Sequence, residues 1–193
     1  MRSNNMAPKK FLTTYLKDFS DLVKPSEETV EKLAEVADLL KNVHSAGNKI
    51  LIFGNGGSAA MASHFSVDLT KNANLRCFNF NEADLITCFA NDYGFERWVE
   101  KAVDFYGDEG DLLIVISSSG SSKNMLNGVK AGRNGNFQSV VTFSGFEQDN
   151  PLRQLGDINF WVDSKAYNFV ENMHQIWLLA MVDVIIGSRE YSA

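Results

Sequence analysis

Two loops of small residues and one histidine–aspartate pair carry the chemistry this sequence can offer. The loops are Gly54-Asn55-Gly56-Gly57-Ser58 and Ser117-Ser118-Ser119-Gly120-Ser121-Ser122, and His64 and Asp68 follow the first. Adjacent glycines let a backbone turn sharply and approach a ligand closely. A run of serines supplies hydroxyl donors beside its amides. Neither loop is a Walker A motif or GxGxxG, so the common nucleotide fingerprints do not apply. What they offer is a seat for an anion made of amides and hydroxyls. His64 and Asp68, four residues apart, share one side of a helix. A histidine beside a carboxylate can do acid/base work or hold a metal.

Those groups need strands and helices to place them. Residues 49–53 are a short apolar run, β-branched in part, of the kind buried on both faces in a parallel sheet. Ser58 is placed as the N-cap of the helix that follows, whose free N–H groups and positive dipole end favour an anion. Residues 111–116 repeat the design ahead of the serine loop, with a helix from Lys123 to about Arg133. A flexible serine linker is the bland alternative, but linkers do not usually join a buried strand to its crossover helix. Further strands are expected at 75–80, 138–143 and 158–162, and helices at 83–90, 95–106 and 167–186. The last of these is apolar almost all round, so it is expected to be deeply covered. Alternating strands and helices imply one α/β domain, a parallel sheet flanked by helices on both faces. Ligands of such folds sit at the carboxyl ends of the strands, where the two loops can converge.

Two amphipathic helices precede the first strand. One carries Phe11, Leu12, Tyr15, Leu16, Phe19, Leu22 and Val23 up to Pro25; Ser26 caps the other, with Glu27 and Glu28 at its positive end. They exceed what one sheet of this size needs, and their apolar faces are expected to pack on another subunit.

With 193 residues, 45% hydrophobic and 22% charged, the chain is globular and long enough for a real core. A formal net charge of -6 without a basic block argues against nucleic-acid binding. Cys77 and Cys88 form no CxxC, which suits a reducing cytoplasm. The first residues lack the apolar core of a signal peptide, and no run reaches the ~18 apolar residues of a membrane span. Residues 1–9 are expected to be disordered.

Gly54–Ser58 with His64-Phe65-x-x-Asp68-Leu69-Thr70, then Asn91-Asp92-Tyr93-Gly94-Phe95, then Ser117–Ser122 with Lys123-Asn124, resemble the sugar-isomerase (SIS) domain family. Within it they are most similar to the bacterial phosphoheptose isomerases. The resemblance covers nearly the whole chain, giving an SIS domain over residues 10–193 with 10–47 used for oligomer packing. It implies a homotetramer with active sites between subunits and no nucleotide or organic cofactor. It also implies conversion of sedoheptulose 7-phosphate to D-glycero-D-manno-heptose 7-phosphate, supplying heptose for surface polysaccharide. By matching positions, Asn55, Gly56 and Gly57 touch substrate beside Ser58. Ser117, Ser118, Ser119 and Ser122 hold the phosphate, and Asn91 and Asp92 line the sugar. His64 matches a metal ligand, and Asp68 stands where the family has a Glu that is ligand and general base. In the last helix the family has Gln and, eight positions on, a metal-binding catalytic His; here these are Glu171 and Leu179. His174 matches a second family histidine and lies about 140° around the helix from Leu179, so it is no substitute.

Ketose–aldose isomerisation needs a base near the carbon and an acid or cation to stabilise the oxyanion. Asp68 is one methylene shorter than Glu, a displacement of ~1 Å that can cost about 10²-fold in rate. Glu171 adds a carboxylate where the family has an amide, so Asp68 and Glu171 are expected to share acid/base duties, His64 assisting. His64, Asp68 and Glu171 are also the candidate ligand set for zinc, with an open position. The other reading of His64 is a residue that only hydrogen-bonds within the site. The loss of the histidine at 179 favours a rival function, a non-catalytic SIS protein binding a sugar phosphate or protein partner as a regulator. Both loops, His64 and the acid at 68 favour the enzyme.

Overall fold

The computed structural model describes residues 7–190. Residues 1–6, most of the segment expected to be disordered, lie outside the described residues, and helix α1 (Pro8–Leu22) already includes residues 8 and 9. It is followed by α2 (Glu27–Ser45), β1 (Ile50–Gly54), α3 (Gly57–Lys71), β2 (Cys77–Phe78), α4 (Ala83–Tyr93) and α5 (Trp98–Tyr106). The second half runs β3 (Leu112–Ser117), α6 (Lys123–Asn134), β4 (Ser139–Ser144), β5 (Ile158–Trp161) and α7 (Tyr167–Ile186). A 3₁₀ turn at Phe95–Arg97 separates α4 from α5, where the sequence suggested one continuous helix over 95–106.

The five strands make one parallel sheet in the order β2-β1-β3-β4-β5. Side chains alternate across it because a strand has a period of two. Ile50 and Ile52 of β1 join Leu112, Ile114 and Ile116 of β3 in a core with α2, α3 and α7. Leu51 and Phe53 join Leu113 and Val115 in the opposite core with α5 and α6. Each such aliphatic side chain contributes roughly 1.5–3 kcal/mol by leaving water. β2 has only two residues, far fewer than the expected run over 75–80, because it lies at the sheet edge and pairs through Ile50 and Leu51 alone. The chain leaves β1 toward β2 on one side and returns as β3 on the other, so the order reverses between β1 and β3. A crevice opens at the carboxyl ends of strands on either side of such a reversal.

Three local details depart from the sequence reading. Ser58 is not the N-cap of α3: Gly56 is, with φ 54° and ψ -120°, so the helix starts two residues earlier and places Ser58 inside its first turn. Helix α4 runs on through Asn91 and Asp92 to Tyr93 and stops at Gly94, whose φ is 87°. Helix α7 buries Val170, Met173, His174, Leu178, Met181 and Val182 but leaves Ile176 and Val184 exposed. It is therefore covered on one side only within this chain. By length and composition α7 is apolar enough to cross a membrane, with mean hydropathy 1.3 over its best window, although polar residues such as Glu171 and Asp183 interrupt it and it holds no continuous apolar run of ~18 residues. Its apolar residues pack on the sheet and on α2 and α3 instead. Ser26 caps α2 as expected, its Oγ accepting from Thr29 N at 3.1 Å.

Candidate functional site

The crevice between β1 and β3 is a cavity of about 120 Å³ lined by Asn55, Ser58, Ile116, Ser117, Ser118, Ser119, Ser122, Tyr167 and Glu171. Both small-residue loops thus face one space, as their positions after the first and third strands required. Gly56 and Gly57 form the turn into α3 beside it. A methyl group on Gly57 would sit 2.5 Å from Glu171 Oε2, which places the carboxylate directly against the start of α3.

The electrostatics come from backbone and hydroxyls. Ser58, Ser122 and Tyr167 lie at or next to the first residue of α3, α6 and α7, so three helix N-termini point into the cavity. Each carries a partial positive charge and N–H groups that the helix itself cannot satisfy. No lysine or arginine is among the lining residues, and Glu171 is the only charged one. Ser122 precedes α6 without its side chain capping the helix; its Oγ instead accepts from Ser117 Oγ at 3.2 Å. Two of the lining hydroxyls are therefore linked to each other.

Two residues that the sequence reading did not single out hold this arrangement. Asn124, buried in the first turn of α6, exchanges two hydrogen bonds with Asn55, at 2.9 and 3.0 Å. That reciprocal amide pair ties the glycine loop to the serine loop. Asn150, also buried, donates to Ser144 Oγ and to the carbonyls of Gly145 and Glu147, and packs against Gly120. Gly120 has φ 65°, and a Cβ there would collide with Asn150 Oδ1, so the serine loop needs glycine at this point. The phenol of Tyr167, at the rim, is a further lining group that no local sequence signal marked.

His64 and Asp68 lie further along α3. At about 1.5 Å per residue, His64 is ~10 Å from Gly57. His64 Nε2 is 3.3 Å from Asp68 Oδ2, and His64 Nδ1 is 3.2 Å from Gln175 Nε2 of α7. The partners Gly57–Glu171 and His64–Gln175 show that α3 and α7 run side by side in the same direction, with Leu179 one turn beyond Gln175 on that face. Glu171 is one turn before it. Among the described residues no three His, Cys, Asp or Glu side chains converge to hold a metal. The expected zinc set is thus divided into a His64–Asp68 pair and a separate Glu171, because Gln175 stands between them on α7. The donors present do not converge as a zinc site requires.

Asn91 and Asp92 are not brought to the cavity. They sit exposed at the end of α4, hydrogen-bonded to each other at 2.8 Å. His174 is fully buried behind the site, its Nε2 donating to Ser144 O at 3.0 Å. Burial pushes its pKa down to about 4, so it is a neutral anchor between α7 and β4.

Residues 14–144 match the SIS domain family. A phosphoheptose isomerase of Fusobacterium nucleatum is 34% identical over 180 residues, covering 89% of this chain and 91% of its own. A probable phosphoheptose isomerase of Thermoplasma acidophilum is 32% identical, covering 83% and 90%. Among solved structures, a phosphoheptose isomerase from Neisseria gonorrhoeae superposes with a TM-score of 0.85 at 27% identity, over 92% of this chain and 98% of that one.

Proposed function

The chain belongs to the SIS domain family, and on that premise we propose that it is a sugar-phosphate aldose–ketose isomerase. Its reaction interconverts sedoheptulose 7-phosphate and D-glycero-D-manno-heptose 7-phosphate, a supply of heptose for surface polysaccharide. The observation that carries this reading is the single cavity shared by both small-residue loops and Glu171. Relatives named as phosphoheptose isomerases, at about one-third identity along most of their length, support it.

In this reading the phosphoryl group sits among Ser117, Ser118, Ser119, Ser122 and the start of α3, with Asn55, Gly56, Gly57 and Ser58 against the substrate. The sugar chain runs along the seam between α3 and α7, toward Glu171 and then the His64–Asp68 pair. Removal of the C1 proton of the ketose and protonation of O2 give the enediol. Return of a proton to C2, with loss of the O1 proton, gives the aldose. Asp68 and Glu171 divide the base and acid roles, and amides and hydroxyls stabilise the oxyanion.

Incubation of the purified chain with sedoheptulose 7-phosphate in deuterated buffer tests this by NMR. The expected result is aldose product with deuterium at C2. Binding of the sugar phosphate with neither product nor deuterium selects the second reading, a non-catalytic sugar-phosphate sensor. That reading is favoured by Leu179, which puts an aliphatic side chain on the α7 face that carries Glu171 and Gln175.

The oligomer of this reading is a homotetramer packed through α1 and α2. Helix α1 has no buried residue and exposes Phe11 at 54%, Leu12 at 56% and Leu16 at 65%. A largely apolar groove of about 400 Å³ lies between the α1–α2 turn and α7. Light scattering that returned the mass of a single chain would remove the tetramer. Cys77 and Cys88 are both free thiols, in keeping with a reducing compartment.

A further inference from the structure

We propose that Gln175 is a positioning residue that locks His64 in its Nε2–H form, so that His64 serves to orient the Asp68 carboxylate and is not a metal ligand. The side-chain nitrogen of Gln175 can only donate, so at 3.2 Å the Nδ1 of His64 must accept. A neutral imidazole that accepts at Nδ1 carries its proton on Nε2. That places the proton on the ring nitrogen nearer Asp68, with Nε2 3.3 Å from Asp68 Oδ2. The other oxygen, Oδ1, accepts from Asn72 Nδ2 at 3.2 Å.

The result is a directed chain, Gln175 to His64 to Asp68, with Asn72 holding the far side of the carboxylate. Reversing the Gln175 amide would break it. Nδ1 would then carry the proton, and the Nε2 lone pair would face a carboxylate oxygen, acceptor against acceptor. With the amide as found, one lone pair of His64 is taken by Gln175 and the other ring nitrogen bears the proton, so neither is left for a cation. The next turn of α7 adds only Leu179, which can neither donate nor accept. An Asp shorter than Glu needs its orientation fixed more firmly, and this chain of donors fixes it.

The deciding measurement is a long-range ¹H–¹⁵N correlation spectrum of histidine-labelled protein at mildly alkaline pH, with His64 assigned from His64→Gln. The expected spectrum shows the Nε2–H form at His64. Gln175→Leu should give a mixture of the two forms, and Gln175→Glu, isosteric but accepting, should move the proton to Nδ1. His174, held by Ser144 O, reports in the same spectra whether the fold is intact. Should Gln175→Leu disturb His174, Gln175→Glu decides alone. A wild-type His64 in the Nδ1–H form, or one unaltered by both substitutions, overturns the proposal. So does one zinc per chain retained after incubation with zinc sulfate and desalting, if His64→Gln abolishes it.

The kinetic arm alone rests on the isomerase reading. There, Gln175→Leu is expected to lower kcat about tenfold with KM held within about twofold, and an unchanged kcat overturns the positioning role. If the wild-type chain turns over no sugar phosphate, the isomerase reading fails while the spectra still decide the state of His64.

Discussion

Replacing Gly57 by alanine separates the work of Glu171 from the stability of the fold. Gly57 is exposed, is the first residue of α3 and has ordinary helical conformation, so the backbone accepts a Cβ. Glycine costs a helix roughly 0.5–1 kcal/mol relative to alanine, so stability should hold or rise slightly. The new methyl, however, would stand 2.5 Å from Glu171 Oε2 and 2.7 Å from its Cδ. Normal contact begins near 3.5 Å, so the carboxylate must retreat by about 1 Å. A misplacement of that size costs on the order of 10²-fold in rate, about 2.7 kcal/mol of transition-state stabilisation. The assay is kcat and KM on sedoheptulose 7-phosphate beside a thermal melt, in wild-type and Glu171→Ala backgrounds. In the second background no carboxylate remains to be displaced, so the methyl should lower kcat no further, its contact with substrate being read in KM alone. Full kcat in Gly57→Ala would refute the catalytic placement of Glu171. A second large loss in the Glu171→Ala background would refute the displacement argument, since the methyl would then be obstructing substrate itself.

Two other outcomes follow from the supports of the site. Asn124→Ala strips Asn55 of both of its hydrogen bonds to that side chain in a partly buried position, which should lower stability by about 1–3 kcal/mol. The loosened glycine loop should also raise KM, and denaturant melts with KM measurements check the two together. His174 provides the pH dependence. Its folded pKa is depressed to about 4 from 6.5, so between those values the unfolded chain binds the extra proton. Its contribution is therefore complete above pH 6.5 and is lost as pH falls toward 4, amounting to about 3 kcal/mol in total. Unfolding free energies across that window should flatten in His174→Gln, and an unchanged slope would show that another group sets it.

The parts of this molecule that were legible in the sequence are the local ones. The strands before Asn55 and before Ser118 announce themselves because parallel strands buried on both faces must be continuous apolar runs. The meeting of the two loops was legible as well, since topology alone puts the ends of β1 and β3 side by side. The Ser58 cap was misplaced because a cap depends on backbone angles, and Gly56 takes up a positive φ that no serine signal could reveal. Asn124, quoted only as the end of a motif, Tyr167 and Gln175 were given no role for another reason. Each matters only through a partner or a space set by elements far away in the chain, as with Gln175 and His64 across 111 positions. One hint was present: Gln175 is a polar residue one turn after Glu171 on the same helix. The His64–Asp68–Glu171 set is not gathered into one cluster among the described residues on the same account, because helix phase told which residues share a face and not how far apart they stand along it.

The cavity proposed to receive the phosphoryl group is lined by no side chain of positive charge, and the protein as a whole carries a formal -6. An anionic metabolite must then approach against the long-range field of the molecule, with capture arising only at close quarters from oriented peptide groups. Encounter should accordingly quicken with ionic strength, opposite to enzymes that attract their substrates with basic funnels. With no ammonium or guanidinium group among this chain's lining residues, the strength of the grip should follow the ionisation of the phosphate ester and not that of a cation of this chain.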